Sequence, residues 1–179
     1  MRSWAAISTM FGVFVVGLLM VLPVGQAADI SKGKAAEYIL ATAKAARTVY
    51  VKEVIADAKK AGVKLNEDWV KDDHSIMLPA QFVKELGANI KDFELALVGT
   101  DPLYASNAAK SPKEKEMLAE LAGGKKKVVT GEDGGMTIGM SADFAIVQGC
   151  ADCHNKHPKT TKKDWKKGDF MGAIVVRMK

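Results

Sequence analysis

Two cysteines and a histidine stand close together near the C-terminal end of the chain. They are Cys150, Cys153 and His154, arranged as Cys-x-x-Cys-His, and the 179-residue sequence contains 2 cysteines in all. Two thiols at this spacing can add to the two vinyl groups of one porphyrin, and the histidine that follows can then bind the central iron. The motif therefore predicts one covalently bound haem c, with Cys150 and Cys153 as thioether attachments and His154 as an axial iron ligand.

Two other uses of the motif stay open. A thioredoxin-like redox pair would need the cysteines at the start of a helix in a parallel βαβ unit, and no such pattern surrounds them. A zinc site would need four ligands, and only His157 stands nearby as a further one. Both alternatives fit the surrounding sequence less well than haem attachment does.

The sequence leaves open which group faces His154 across the iron. Four side chains are candidate sixth ligands, namely His74, Met77, Met136 and Met140, of which we favour His74 or Met77. His157 follows the proximal ligand too closely to reach the opposite face, so we expect it to bond a propionate or to face solvent. An iron with an open position would favour sensing over plain electron transfer.

Positive charge is concentrated directly after the motif. The chain carries a formal net charge of +5, and it shows no nucleic-acid-binding motif, so we expect no nucleic-acid partner. Six lysines lie within residues 156–167, namely Lys156, Lys159, Lys162, Lys163, Lys166 and Lys167. A solvated loop is one interpretation of this run. The other is an electropositive rim that docks an acidic redox partner protein near the haem edge.

The N-terminal residues 1–27 have the pattern of a secretory signal peptide. Arg2 precedes an uncharged stretch whose strongly apolar part is Met10–Leu22, and Gly25 and Ala27 supply small residues before the expected cleavage. An uncleaved membrane anchor is the alternative, since about 20 apolar residues can span a bilayer. We expect residues 28–179 to form a single domain in the periplasm, in contact with a membrane only if the segment stays attached.

Spacing and capping residues predict the elements that position the motif. In the helix predicted over 31–62, apolar residues recur every three or four positions, which predicts a buried face of Ile39, Ala43, Ala46, Tyr50, Val54 and Ala58. The predicted helices are 31–62 with Ser31 as N-cap, 80–86 opened by Pro79 and followed by Gly87 as the first residue beyond its end, and 112–121 with a Ser111–Glu114 capping box. The predicted strands are 93–98, 125–130, 136–147 and 170–178, with a turn at 131–135 and a polar connection at 64–75. This order predicts an α+β fold with an antiparallel sheet partly covered by helices.

The order of motifs resembles a family of exported single-haem c-type domains, long catalogued as a domain of unknown function. Its members include free periplasmic or lumenal proteins and sensor domains of histidine kinases. The resemblance covers roughly residues 35–178 and rests on six segments: Ala46-Arg47-x-x-Tyr50, Leu78–Leu86, Phe93–Leu97, Asp101–Ala108, Glu114–Leu121 and Lys167–Ile174.

The resemblance implies a PAS-like antiparallel sheet with a long N-terminal helix, covering helices and the haem against the sheet. The haem motif, the signal-like N-terminus and the basic run favour a monohaem electron carrier, whereas the PAS-like resemblance motivates the alternative, a haem-based redox or gas sensor. A distal cysteine ligand known in this family has no counterpart here, since Cys150 and Cys153 are already used. We expect a domain that stands alone without an output domain, and nothing in the sequence requires an enzymatic activity.

Overall fold

The computed structural model describes residues 29–179, which fold as mixed helices and sheet, as predicted. The expected signal peptide at 1–27 lies outside the described residues. Within 29–179 the helices are α1 (Lys32–Val49), α2 (Ile55–Lys60), α3 (Pro79–Ala88), α4 (Pro112–Ala122) and α5 (Gln148–Lys156). The strands are β1 (Lys64–Leu65), β2 (Ser75–Ile76), β3 (Glu94–Gly99), β4 (Val128–Asp133), β5 (Met136–Phe144) and β6 (Phe170–Met178). No helix in this range has the length and apolar character that a membrane crossing requires.

A four-stranded antiparallel sheet forms the centre of the fold, with the strands in the order β3-β6-β5-β4. β6 is buried on both faces, which explains why its sequence is an almost unbroken apolar run. Ala173 and Val175 pack with α4, whereas Ile174 and Val176 pack with α1 and α3. The sheet therefore lies between two helical layers. Each fully buried valine side chain contributes about 1.5–3 kcal/mol to the free energy of unfolding.

The long N-terminal helix is continuous but changes its winding near the middle. A π-helical turn, Tyr50–Val54, joins α1 to α2. Ser31 caps the start as predicted, because its hydroxyl accepts a hydrogen bond from the Lys34 N–H at 3.2 Å. One extra residue in a helical turn rotates everything beyond it, and such turns are frequent at functional sites.

The prediction for Gly87 was wrong. The helix does not end before this glycine but continues through Ala88, and Asn89 caps it. Gly87 serves a different purpose, since a Cβ at this position would collide with the carbonyl oxygen of Leu95 on β3. Its missing side chain lets α3 lie directly on the edge strand of the sheet.

The capping box predicted at α4 forms only in part. Ser111 accepts a hydrogen bond from the Glu114 N–H at 3.1 Å, as predicted. The Glu114 carboxylate does not return to Ser111, however. It accepts from the Lys110 N–H at 2.7 Å and pairs with Arg177 on β6. Glu114, which the sequence predicts as a capping residue of α4, therefore forms a buried ion pair that links α4 to the sheet.

Several predicted boundaries shift by a few residues. β4 covers Val128–Asp133 instead of 125–130, so the turn narrows to Gly134-Gly135, which both have positive φ, 56° and 79°. The polar connection at 64–75 contains the short parallel pair β1 and β2. β5 ends at Phe144, so that β5 and β3 stop, and β6 starts, at the same end of the sheet.

Candidate functional site

The Cys-x-x-Cys-His motif lies on α5, the short helix that follows β5 and precedes β6. These two strands are antiparallel neighbours, so α5 is not the crossover of a parallel βαβ unit. The surroundings that a thioredoxin-like motif needs are therefore absent from this part of the described chain. Of the residues of α5, only Ala151 is fully buried.

A cavity of about 660 Å³ opens beside α5, at the end of the sheet where β3 and β5 stop. Its size lies in the range of about 300–1,000 Å³ that is usual for small-molecule and cofactor sites. Separate elements form its walls. They are the motif residues Cys150, Cys153 and His154, the helical face Arg47, Val51 and Ile55, the sheet end Val98, Gly99 and Gly172, the β1 residue Leu65, and the loop residues Glu67, Leu103 and Tyr104.

The two thiols line this cavity and are not joined in a disulfide. Cys150 is half-buried and Cys153 is exposed, because the cavity itself is open to solvent. Protein surrounds the Cys153 thiol closely enough that burial raises its pKa, and the carboxylate of Glu67 and the neighbouring Cys150 add to the effect. A raised pKa keeps this thiol protonated at neutral pH.

His154 presents a neutral imidazole at the same wall. Burial lowers its pKa below the ordinary histidine value, and the charges of His157 and Arg47 lower it further. Its Nδ1 is buried and has no hydrogen-bond partner among the described residues. A neutral imidazole, in which one of the two ring nitrogens offers its lone pair, is the form in which histidine binds a metal.

The loop that follows α5 is tied back to the motif. The ring of Trp165 meets the ring of His154 edge to face, with 6.3 Å between their centroids. Earlier in the same loop, the Thr161 hydroxyl and the Lys162 N–H donate hydrogen bonds to the Asp101 carboxylate, at 2.7 Å and 3.1 Å. These contacts keep the lysine-containing loop next to the cavity.

A polar cluster at the cavity mouth uses His157. The Glu67 carboxylate accepts from the Tyr104 hydroxyl at 2.6 Å, and its other oxygen lies 3.4 Å from Nε2 of His157. The Lys159 N–H donates to Nδ1 of His157 at 3.1 Å, so Nε2 carries the proton that faces Glu67. The sequence predicts that His157 bonds a haem propionate or faces solvent. Among the described residues, the group that faces its Nε2 is the Glu67 carboxylate.

The structure does not bring the predicted sixth ligands into the cavity. His74 is exposed, and Met77 is half-buried with its carbonyl accepting from the Tyr50 hydroxyl at 2.8 Å. Met140 is fully buried in the core, and Met136 starts β5 at the far hairpin. None of these four residues lines the cavity. The choice of His74 or Met77 stays a prediction.

Sequence reasoning missed several residues of the cavity wall. Arg47 and Met171 both line it. In the sequence, Arg47 stood out only as part of a resemblance segment, and Met171 lay within the predicted strand 170–178. A charged residue between the apolar positions of α1 was the available signal for Arg47. Met171 carried no signal, because the sequence does not show which ends of the strands meet.

The basic run mostly faces solvent. Lys156, Lys159, Lys163, Lys166 and Lys167 are exposed, while Lys162 is half-buried and lies 3.7 Å from Asp169. The ammonium group of Lys159 stands 3.9 Å from the centroid of the Tyr104 ring at the cavity mouth. At least part of the run therefore borders the opening of the cavity.

Comparison with known proteins gives one match. The protein-family model described as Tll0287-like matches residues 26–179. No curated protein and no solved structure match the chain. Across the described 29–179 range, no three His, Cys, Asp or Glu side chains gather closely enough to hold a metal ion by themselves.

Proposed function

Because the chain belongs to the Tll0287-like family, a family of haem-binding domains, we propose that it is a monohaem c-type cytochrome that transfers single electrons. One observation carries this proposal. Cys150, Cys153 and His154 all line one cavity, whose volume of about 660 Å³ suits a cofactor. Two attachment points and one iron ligand on a single wall are what covalent haem binding requires.

The residues at the cavity fit a porphyrin. Each thiol would add across one vinyl group, so that Sγ bonds to the carbon next to the ring and the thiol hydrogen passes to the terminal carbon. This addition needs no external oxidant. The buried, unpartnered Nδ1 and the depressed pKa of His154 support its use as a neutral ligand.

The haem, when bound, would supply an iron that cycles between the ferrous and ferric states. The protein's part is to hold and shield the ring. Val51 and Ile55 present apolar side chains to the cavity from the helix, and Leu97 does so from the sheet. Such walls exclude water and lower the local dielectric, which is one of the factors that set a haem potential.

Electron exchange with a partner would occur beside the cavity mouth. The exposed lysines between 156 and 167 form an electropositive surface there, and the proposal assigns them to docking an acidic redox protein. The signal-like residues 1–27 place the protein in the periplasm in this proposal. The proposal includes neither a catalysed reaction nor a nucleic-acid partner, and a membrane contact only through an uncleaved N-terminal segment.

A sensor function is the second candidate, and one observation favours it. None of the candidate sixth ligands His74, Met77, Met136 and Met140 lines the cavity. An iron held by His154 alone would keep one position open or labile, as a redox or gas sensor needs.

The test is expression of the full chain in a periplasm with c-type haem maturation. We expect haem that resists acid-acetone extraction and a pyridine haemochrome spectrum of the two-thioether type. Haem that is fully extracted, or no haem at all, would refute the proposal. Carbon monoxide then separates the two functions, because rapid binding to the reduced protein favours the sensor and slow or absent binding favours the carrier.

A further inference from the structure

Arg47 is a buried cation on the helical wall of the cavity. It lies four residues before Val51 and eight before Ile55, so the three side chains share one helix face. The side chain is only 9% exposed. Its Nε is buried and has no hydrogen-bond partner within the described residues. Leaving a buried charged donor unpaired costs about 1–3 kcal/mol or more.

The one ion pair that Arg47 makes with residues of the 29–179 range does not use the whole guanidinium. Nη1 lies 2.8 Å from Oδ1 of Asp143, a largely buried carboxylate at the end of β5. The ammonium group of Lys44, one helical turn earlier, also acts on Asp143 and donates to the carbonyl of Ala142 at 2.8 Å. Two cations thus face one carboxylate, which leaves a formal excess of one positive charge around Asp143, although only Arg47 and Asp143 of these three residues line the cavity.

We propose that Arg47 binds a carboxylate or small oxyanion inside the cavity. A planar guanidinium with free N–H groups matches the two oxygens of such a group, and a low-dielectric wall makes the pairing stronger. An acceptor-only anion would also compensate the excess positive charge. The inference deepens the proposed function, since one source of the carboxylate is a propionate of the haem.

Two sources share this chemistry, a haem propionate and a free oxyanion, and the covalent tether favours the first. The charges at the cavity rim are mixed, because Glu67, Asp68 and Glu85 line the opening together with Lys59 and Lys84, and Lys159 borders it. Rim charge therefore does not select between the two sources. A propionate on a tethered ring is held in the cavity by the covalent attachment, at a high effective concentration.

The experiment compares the haem-loaded wild type with Arg47→Met and Arg47→Lys by resonance Raman spectroscopy. The propionate bending mode responds to hydrogen bonds on the carboxylate. We expect this mode to shift in Arg47→Met and to shift less in Arg47→Lys, which keeps the charge but loses the fork. Lys52→Met, an exposed cation on the same helix, is the matched control and should leave the mode unchanged. The double variant Arg47→Met/Asp143→Asn repeats the test without an unpaired buried carboxylate.

A second arm measures melting temperature with added sodium nitrate or sodium acetate, against sodium chloride at equal ionic strength. It is run on the chain with and without haem. A wild-type stabilisation that Arg47→Met loses, without a Raman shift, assigns the site to a free oxyanion. If Arg47→Met changes neither the Raman mode nor the anion response beyond Lys52→Met, the inference is wrong. A wild type without covalent haem refutes the proposed function instead, and the anion arm then decides the inference alone.

Discussion

The side chain of Asn155 and the backbone of Trp165 are joined by a reciprocal pair of hydrogen bonds. The amide Nδ2 donates to the Trp165 carbonyl at 2.9 Å, and the Trp165 N–H donates to Oδ1 at 2.8 Å. The Trp165 ring is 5% exposed and packs edge to face against His154. Asn155 therefore fixes the loop segment that supports the proposed iron ligand.

Asn155→Ala should remove both hydrogen bonds. The backbone N–H and C=O of Trp165 would then have no partner at a partly buried position. We expect a loss of about 1–3 kcal/mol in the free energy of unfolding, measured by urea denaturation. Asn89→Ala is the control, because its amide makes a single exposed bond to the Glu85 carbonyl and should cost less. Equal losses in the two variants would contradict the role given to Asn155.

The N-terminal helix shows how much its sequence pattern could predict. The helix and its Ser31 cap are confirmed, but the predicted buried face is right only in part. Ala43 is buried as predicted, whereas Val54 is 48% exposed. The buried positions are Ala36, Leu40, Ala43, Arg47, Val51 and Ile55. A periodicity search passes over an arginine, although an arginine with an ion-pair partner can be buried.

The cavity itself could not be predicted from the chain. The motif predicts a ligand from its spacing alone, because Cys150, Cys153 and His154 lie within one short helix, α5. The remaining walls come from the ends of β3 and β5, the start of β6 and the middle of the first helix, which are far apart in sequence. Their meeting depends on strand order and register, and local patterns do not contain this information.

Glu114 should make the free energy of unfolding depend on pH in the acidic range. Burial alone would raise the pKa of this carboxyl, but hydrogen bonds from Arg177 and from the Lys110 N–H outweigh it and lower the pKa. A lowered folded-state pKa means that the carboxylate stabilises the fold above the unfolded value of about 4.3. This contribution is lost as the pH falls through the folded-state value.

We therefore expect Glu114→Gln to cost less at pH 7 than the about 3–5 kcal/mol that losing a sole partner costs a buried charge, because Arg177 loses the Glu114 carboxylate but keeps Glu94 at 2.8 Å. The difference from wild type should shrink as the pH falls below about 5. Denaturant titrations at several pH values measure it. Glu116→Gln, whose carboxylate pairs with Lys113 on the surface, is the control and should show a small, pH-insensitive effect. A constant difference for Glu114→Gln across the acid range would refute this assignment.

The two cysteines should differ from every other residue of α5 in their effect on haem retention. Cys150→Ala and Cys153→Ala should each leave one thioether, which changes the pyridine haemochrome spectrum. The double variant should release all haem into acid acetone. Asp152→Asn changes an exposed residue between them and should retain haem as the wild type does. Covalent haem in the double variant would show that attachment occurs elsewhere.

The lysine surface should control how fast an acidic partner reacts. Lys163, Lys166 and Lys167 are exposed and have no ion-pair partner among the described residues. Changing all three to Glu should slow stopped-flow electron transfer with an acidic redox protein by roughly tenfold or more at low salt. The effect should fade at high salt. The same change at Lys125, Lys126 and Lys127, exposed on another part of the chain, alters net charge equally and is the matched control. Equal slowing in both triple variants would exclude docking at 156–167.

The iron's second axial position can be tested by comparing residues inside and outside the cavity. His74 and Met77 do not line it, so His74→Ala and Met77→Leu should leave the absorption spectra of both oxidation states unchanged. Met171 does line it, and Met171→Leu tests whether a thioether binds from β6. If the position is open, all three variants should bind carbon monoxide as fast as the wild type. A spectral change in His74→Ala or Met77→Leu would mean that the 64–78 segment moves toward the iron when haem is attached. A change in Met171→Leu alone, with faster carbon monoxide binding, would instead identify a His154/Met171 pair and favour the electron carrier over the sensor.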